Sequence, residues 1–184
     1  MSQANYYKVL TIFYSRTGKT RAIAETVKEV FRCEAQEIID LKDRSGFWGY
    51  ISGVIDILLH HSTEISPSII KTEDYDLLFI GAPLWEGKFP PALTTFFRSA
   101  HYTGNKVILF ASCGFRMKQS LFYEYSNHIT KNGGEVIGYF HLRTRFKSIK
   151  ALRKETENIL AKNKERWLKL IGGSAMLGSR EQPV

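Results

Sequence analysis

Six residues, Ser15-Arg16-Thr17-Gly18-Lys19-Thr20, put hydroxyls, cations and one glycine in a stretch short enough to wrap a single anion. Before them runs Val9-Leu10-Thr11-Ile12-Phe13-Tyr14, β-branched and aromatic. After them Ile23, Val27, Val30 and Phe31 recur at i, i+4, i+7 and i+8, the spacing of one helix face. A strand, a turn and a helix start leave backbone N–H groups free at the turn, and the helix dipole favours negative charge there. The chemistry expected is phosphate binding. Gly18-Lys19-Thr20 also matches the end of the triphosphate-binding pattern G-x-x-x-x-G-K-[ST]. However, Phe13 stands where its first glycine is required, and the apolar run 77–80 ends in Gly81 rather than a magnesium-holding Asp. Triphosphate hydrolysis is therefore disfavoured.

Two other segments carry ligand-type side chains. Pro83-Leu84-Trp85-Glu86-Gly87-Lys88-Phe89 offers aromatics and a glycine, and Ser112-Cys113-Gly114-Phe115-Arg116 offers small polar groups, a thiol and a cation. Trp85 is the expected ligand-facing aromatic and Phe115 a second one. Trp48 reads as core, in one stripe with Phe47, Ile51 and Val54. Cys33 and Cys113 lie 80 positions apart with no CxxC, so neither a metal nor a dithiol is expected, and Cys113 reads as a buried, inert thiol. His60 and His61 are adjacent, point to different faces of a helix and lack the further ligands a zinc site needs.

The elements that must position these segments alternate. Strands are expected near residues 8–14, 35–41, 77–80, 106–111 and 136–142. Helices are expected near 18–31, 47–59, 90–100, 118–131 and 149–168. In the last helix Ile149, Leu152, Thr156, Ile159, Leu160 and Trp167 face inward, and Gly172-Gly173 is expected to end it. Residues 64–73, with Pro67, read as irregular. Five strands alternating with helices predict a three-layer, doubly wound α/β sandwich: one parallel sheet with helices on both faces. All parallel strands end at one edge, where ligands bind at the point of strand-order reversal. The segments 15–20, 83–91 and 112–116 would converge there as an anion site beside an aromatic slot.

A length of 184 residues with 43% hydrophobic content suits one domain, placed at 1–170, with 171–184 expected to be a flexible tail. No apolar run approaches the roughly 18–20 residues of a membrane span, and Met1 to Asn5 lacks a signal-peptide pattern. A cytoplasmic protein with no membrane partner is expected. The net charge of +8 is concentrated: residues 141–169 hold ten Lys/Arg against three acids. Such a surface can steer acidic partners. A nucleic-acid surface would interleave more aromatics than Phe146 and Trp167, so that role is disfavoured.

Three stretches together resemble the flavodoxins, most closely a short flavodoxin-like group. They are 13–20, Asp43-Arg44-Ser45-Gly46-Phe47-Trp48-Gly49-Tyr50, and residues 74–88 from Asp74 to Lys88. The resemblance spans roughly residues 7–170. It implies a sheet of order 2-1-3-4-5 and the cofactor FMN. Residue by residue, Ser15, Arg16, Thr17, Gly18, Lys19 and Thr20 align with the family's phosphate loop. Pro83, Leu84, Trp85, Glu86 and Gly87 align with one loop beside the flavin ring, and Ser112, Cys113 and Gly114 with the other, which Phe115 follows. Lys19 departs from the Asn common in the family. The implied function is electron transfer through the flavin to a redox partner protein, with no catalytic residue or metal assigned. Such carriers are usually acidic, whereas this chain is basic, so an acidic partner is the complementary expectation. Arg16, Lys19, Lys88 and Arg116 beside the site would make the flavin potential less negative than in acidic relatives. Two alternatives stand beside this reading: an FMN-dependent NAD(P)H:quinone-type oxidoreductase, and a non-catalytic module that binds through the basic 141–169 surface. The oligomeric state stays open, a dimer included.

Overall fold

The computed structural model describes residues 7–42, 63–114 and 120–177, with side chains as far as Gly172. Six strands form one sheet: β1 (Val9–Tyr14), β2 (Glu34–Asp40), β3 (Ile65–Ser66), β4 (Leu77–Pro83), β5 (Lys106–Cys113) and β6 (Glu135–Arg143). Four helices are described, α1 (Lys19–Phe31), α2 (Pro91–Ser99), α3 (Ser120–Lys131) and α4 (Ile149–Leu177). The order across the sheet is β3-β2-β1-β4-β5-β6, parallel throughout except for β3, which pairs antiparallel with β2. The doubly wound α/β class is as expected, and the five parallel strands keep the expected order. The correction is the sixth strand: residues 65–66, read as irregular, pair Ile39 with Ser66 and Asp40 with Ile65.

The central strands are apolar on both faces because helices cover both faces. Leu10, Ile12 and Tyr14 of β1, with Leu78, Ile80 and Ala82 of β4 and Val107, Leu109 and Ala111 of β5, pack against Leu93, Phe96 and Phe97 of α2 and Leu121 and Phe122 of α3. The alternate residues Val9, Phe13, Leu77, Phe79, Ile108 and Phe110 pack against Ile23, Ala24 and Val27 of α1 and Leu152, Leu160 and Trp167 of α4. The period of two along each strand sorts the side chains into these two cores.

Three local expectations change. The strands β4 and β5 run past Gly81 and Ala111, and their pairing continues to Pro83 opposite Ser112. Gly81 does not break β4, because the Phe110 ring lies where its side chain would be: a Cβ there would come within 2.4 Å of that ring. Likewise α4 continues through Gly172-Gly173 to Leu177. Gly172 is a close-approach point rather than a stop, since a Cβ there would meet the Tyr7 hydroxyl at 2.7 Å. Ile149, expected inward, is 45% exposed at the start of α4. The expected helix 47–59, with Trp48, and the histidine pair lie outside the described residues, as do Phe115, Arg116 and the end of the tail.

Candidate functional site

The chain goes from β1 to one side of the sheet (β2) and then returns to the other (β4). The strand order therefore reverses at β1/β4, where a doubly wound sheet opens a crevice. The first loop lies at the end of β1. Gly18 is the N-cap of α1 with φ +79°, a left-handed value that favours glycine, and as the cap residue it supplies no side-chain hydrogen bond to the helix. Its first turn holds no acidic residue. The Ser15 hydroxyl accepts the Arg21 N–H at 3.1 Å, and Arg21 is fixed in turn by an ion pair with Glu37 at 2.6 Å. The N–H groups of Lys19 and Thr20, in the first helical turn, have no intrahelical acceptor available to them. Arg16 and Thr17 are exposed. Together these features make a small, electropositive cradle with open space around Gly18, where an added Cβ would meet nothing within 4 Å.

The last residue of that loop does something different. Thr20 is 2% exposed, and its hydroxyl lies 2.7 Å from the Ser112 hydroxyl in a buried pair. Thr20 therefore joins the first loop to the end of β5. The Lys19 ammonium also turns away from the cradle. It donates to the Thr144 carbonyl at 2.7 Å, just past the end of β6.

At the end of β4, the Leu84 N–H donates to the Ser112 carbonyl at 2.8 Å, so the second loop is also tied to β5. Trp85 and Lys88 exchange two backbone hydrogen bonds, N–H to carbonyl, of 2.9 and 3.0 Å around Glu86 and Gly87. Both central residues have positive φ, 48° and 77°, as a type I′ turn requires. Phe89 then anchors the turn with its ring 4.7 Å from that of Tyr125. Trp85 itself is only 5% exposed. Its ring meets Tyr14 edge-on at 6.0 Å, and the Arg16 guanidinium sits 6.0 Å from the ring centroid, over its face. The ring thus lies between the first and second loops, and a flat ligand stacking on it would take the place held by Arg16.

At the end of β5, Ser112 and Cys113 are strand residues 3% and 6% exposed, and Gly114 is exposed beyond them. Burial pushes the Cys113 thiol up, and the charges of Arg143 and Lys147 oppose this. A protonated thiol facing the Leu142 carbonyl at 3.6 Å is a poor nucleophile. The Cys113 carbonyl accepts both the N–H and the hydroxyl of Thr144, at 2.8 and 3.3 Å.

The structure therefore brings Ser15 to Thr20, Pro83 to Gly87 and Ser112 to Gly114 to one edge. Two residues of that edge were not singled out in the sequence, Tyr14 and Thr144. The signal for Thr144 was available: β6 is a further parallel strand and its end reaches the same edge. Tyr14 was hidden in an apolar run that reads as pure core. Among the described residues no cluster of three or more His, Cys, Asp or Glu is placed to hold a metal. None of the described helices is long and apolar enough to cross a membrane.

Comparison with known proteins agrees with this architecture. Residues 55–139 match the model of the family described as Flavodoxin. An uncharacterized protein of Methanocaldococcus jannaschii is 29% identical over 83 residues, 45% of this chain. That alignment spans about half, 54%, of the length of this curated relative. A flavoprotein from Lactobacillus acidophilus solved in complex with FMN has a TM-score of 0.63 at 22% identity, over 73% of this chain and 93% of that one. A putative flavoprotein from Bacteroides uniformis has a TM-score of 0.64 at 20% identity, over 82% of this chain and 98% of that one. A counterpart from Bacteroides eggerthii has a TM-score of 0.62 at 20% identity, over 83% and 98% of the two chains.

Proposed function

We propose that this flavodoxin-like chain binds FMN at the C-terminal edge of its sheet and transfers electrons through it. The observation that carries the reading is the N-terminus of α1: a glycine N-cap with φ +79° that offers no side chain of its own, and no acid in the first turn. Such a terminus suits a phosphate monoester, which accepts several N–H bonds and is favoured by the helix dipole. The flavoprotein of similar fold solved with FMN adds support for the choice of ligand.

FMN supplies one- and two-electron transfer. The residues of the chain hold and shape it. The N–H groups at residues 16–20 and the Thr17 hydroxyl take the 5′-phosphate. The Thr20–Ser112 hydroxyl pair keeps that cradle in register with the ring side of the site. The loop 83–87 and residues 112–114 would flank the ring, with Trp85 beside it where Arg16 would yield the Trp85 face. Arg16 and Lys88, at the rim, favour the negatively charged reduced ring and raise its potential relative to a site ringed by acids.

The spectrum of the purified protein tests this. A yellow protein that releases FMN on heating is expected, and a colourless one that leaves the fluorescence of added FMN unchanged would overturn the reading. Anaerobic NADPH is expected to leave the bound flavin oxidised, as in a carrier. Rapid bleaching would instead make the protein a reductase.

A further inference from the structure

The turn that follows β6 presents a bulky apolar side chain in an unusual state. Phe146 is 93% exposed and has φ +60°, a left-handed value rare for a large side chain. It is the third residue of the turn closed by the Lys147 N–H donating to the Thr144 carbonyl at 3.3 Å, a position where glycine is usual when φ is positive. A strained backbone that carries an exposed aromatic persists only when its surroundings hold it. They do so here. Thr144 is tied to Cys113 by two hydrogen bonds and to Lys19 by a third. Lys147 is held by an ion pair with Glu155 of α4.

The turn and its flanks are strongly basic, with Glu155 of α4 paired to Lys147. Residues 141–150 contain Arg143, Arg145, Lys147 and Lys150 and no Asp or Glu. The Arg145 guanidinium lies 4.9 Å from the Phe146 ring centroid, a cation–π contact. Arg143 and Lys150 are exposed, and Ile149 adds a second exposed apolar group. An exposed aromatic and an exposed aliphatic group within one short run of arginine and lysine have the make-up of a small protein interface, apolar groups among charged ones.

We propose that residues 143–150 are the docking surface for an acidic protein, with Phe146 as its central contact. The turn shares the Lys19–Thr144–Cys113 linkage with two loops of the candidate flavin site, so a protein seated on it lies at the rim of that site. This extends the electron-transfer reading and rests on it only for the purpose of docking, not for the contact itself. The charge selects the partner. Basic residues steer an acidic surface toward the turn and fix its orientation. Two apolar side chains on a fixed turn form too small a face for a lipid surface, which amphipathic helices meet with a continuous apolar stripe.

The test uses an acidic [2Fe–2S] ferredoxin as the probe protein and the basic cytochrome c as the control. Amide shifts of the 15N-labelled protein are followed at about 20 mM salt, where surface charges are weakly screened. Ferredoxin is expected to shift residues 143–150 and cytochrome c to shift none of them. Phe146→Ala should weaken ferredoxin binding about tenfold, and Arg143→Glu with Lys150→Glu by more than about tenfold. FMN-fluorescence titrations of the same variants are expected to match the parent, which separates docking from flavin binding. Absence of ferredoxin binding, shifts confined elsewhere, or variants that bind like the parent would overturn the proposal. So would Phe146-dependent sedimentation with phosphatidylglycerol vesicles tighter than ferredoxin binding, which would make the patch a membrane contact. Loss of FMN binding with docking intact would refute the flavin reading alone.

Discussion

The hydroxyls of Thr20 and Ser112, 92 positions apart in sequence, form a buried pair 2.7 Å apart that joins the start of α1 to the end of β5. Each satisfies the other, so removing one strands its partner in a dry site. Thr20→Val or Ser112→Ala alone is expected to lower stability by about 1–3 kcal/mol. The double variant should cost clearly less than the sum of the two. Urea melts of the four proteins check this, and strict additivity would deny the pair any coupling.

Lys19 is directed at a carbonyl rather than at the cradle. Its bond to Thr144 links the first loop to the turn after β6. Lys19→Met is therefore expected to destabilise the fold by about 1–2 kcal/mol through the lost charge-assisted bond. The dissociation constant for FMN should change by less than about fivefold, a loss under about 1 kcal/mol. A much larger loss in an FMN titration would mean that the ammonium leaves Thr144 for the phosphate.

Tyr102 carries a cost of another kind. Its hydroxyl is buried with no hydrogen-bond partner among the described residues, and burial pushes its pKa well above the ordinary tyrosine value. The unfolded chain ionises near pH 10, the folded one later. The Tyr102 contribution to stability is therefore constant below about pH 10 and falls as pH rises from there toward the folded pKa. Tyr102→Phe is expected to gain about 1 kcal/mol at neutral pH by removing the unpaired hydroxyl. It should also flatten the alkaline loss. Part of that loss remains, because burial also raises Tyr125 and Cys113. Urea midpoints at about pH 7 and about pH 10.5 read both effects.

Much of the fold was legible because the apolar runs of β1, β4 and β5 have no other use than a sheet buried on both faces. The glycines were less legible. Gly81 and Gly172 read as breaks, yet each makes room for an aromatic side chain from elsewhere in the chain, Phe110 and Tyr7. That cause lies in packing, which no local pattern records. Likewise β3 exists only because residues 65–66 meet the edge of β2. In the candidate site the turn glycine Gly18 and its hydroxyl neighbours were legible from type and spacing. The division of labour was not. Thr20 and Lys19 resemble anion ligands in sequence, and the structure spends both on ties to Ser112 and Thr144.

The most direct test of the account compares FMN with riboflavin, which share the ring and differ in the phosphate. The dissociation constants of both are measured by flavin-fluorescence quenching, for the parent and for Gly18→Ala, which strains the φ +79° position that shapes the cradle. FMN is expected to bind the parent at least about a hundredfold more tightly than riboflavin, an advantage of about 2.7 kcal/mol from the phosphate. Gly18→Ala should weaken FMN and leave riboflavin nearly unchanged. Equal binding of the two flavins, or no quenching by either, would contradict the assignment of residues 15–20 as the phosphate site.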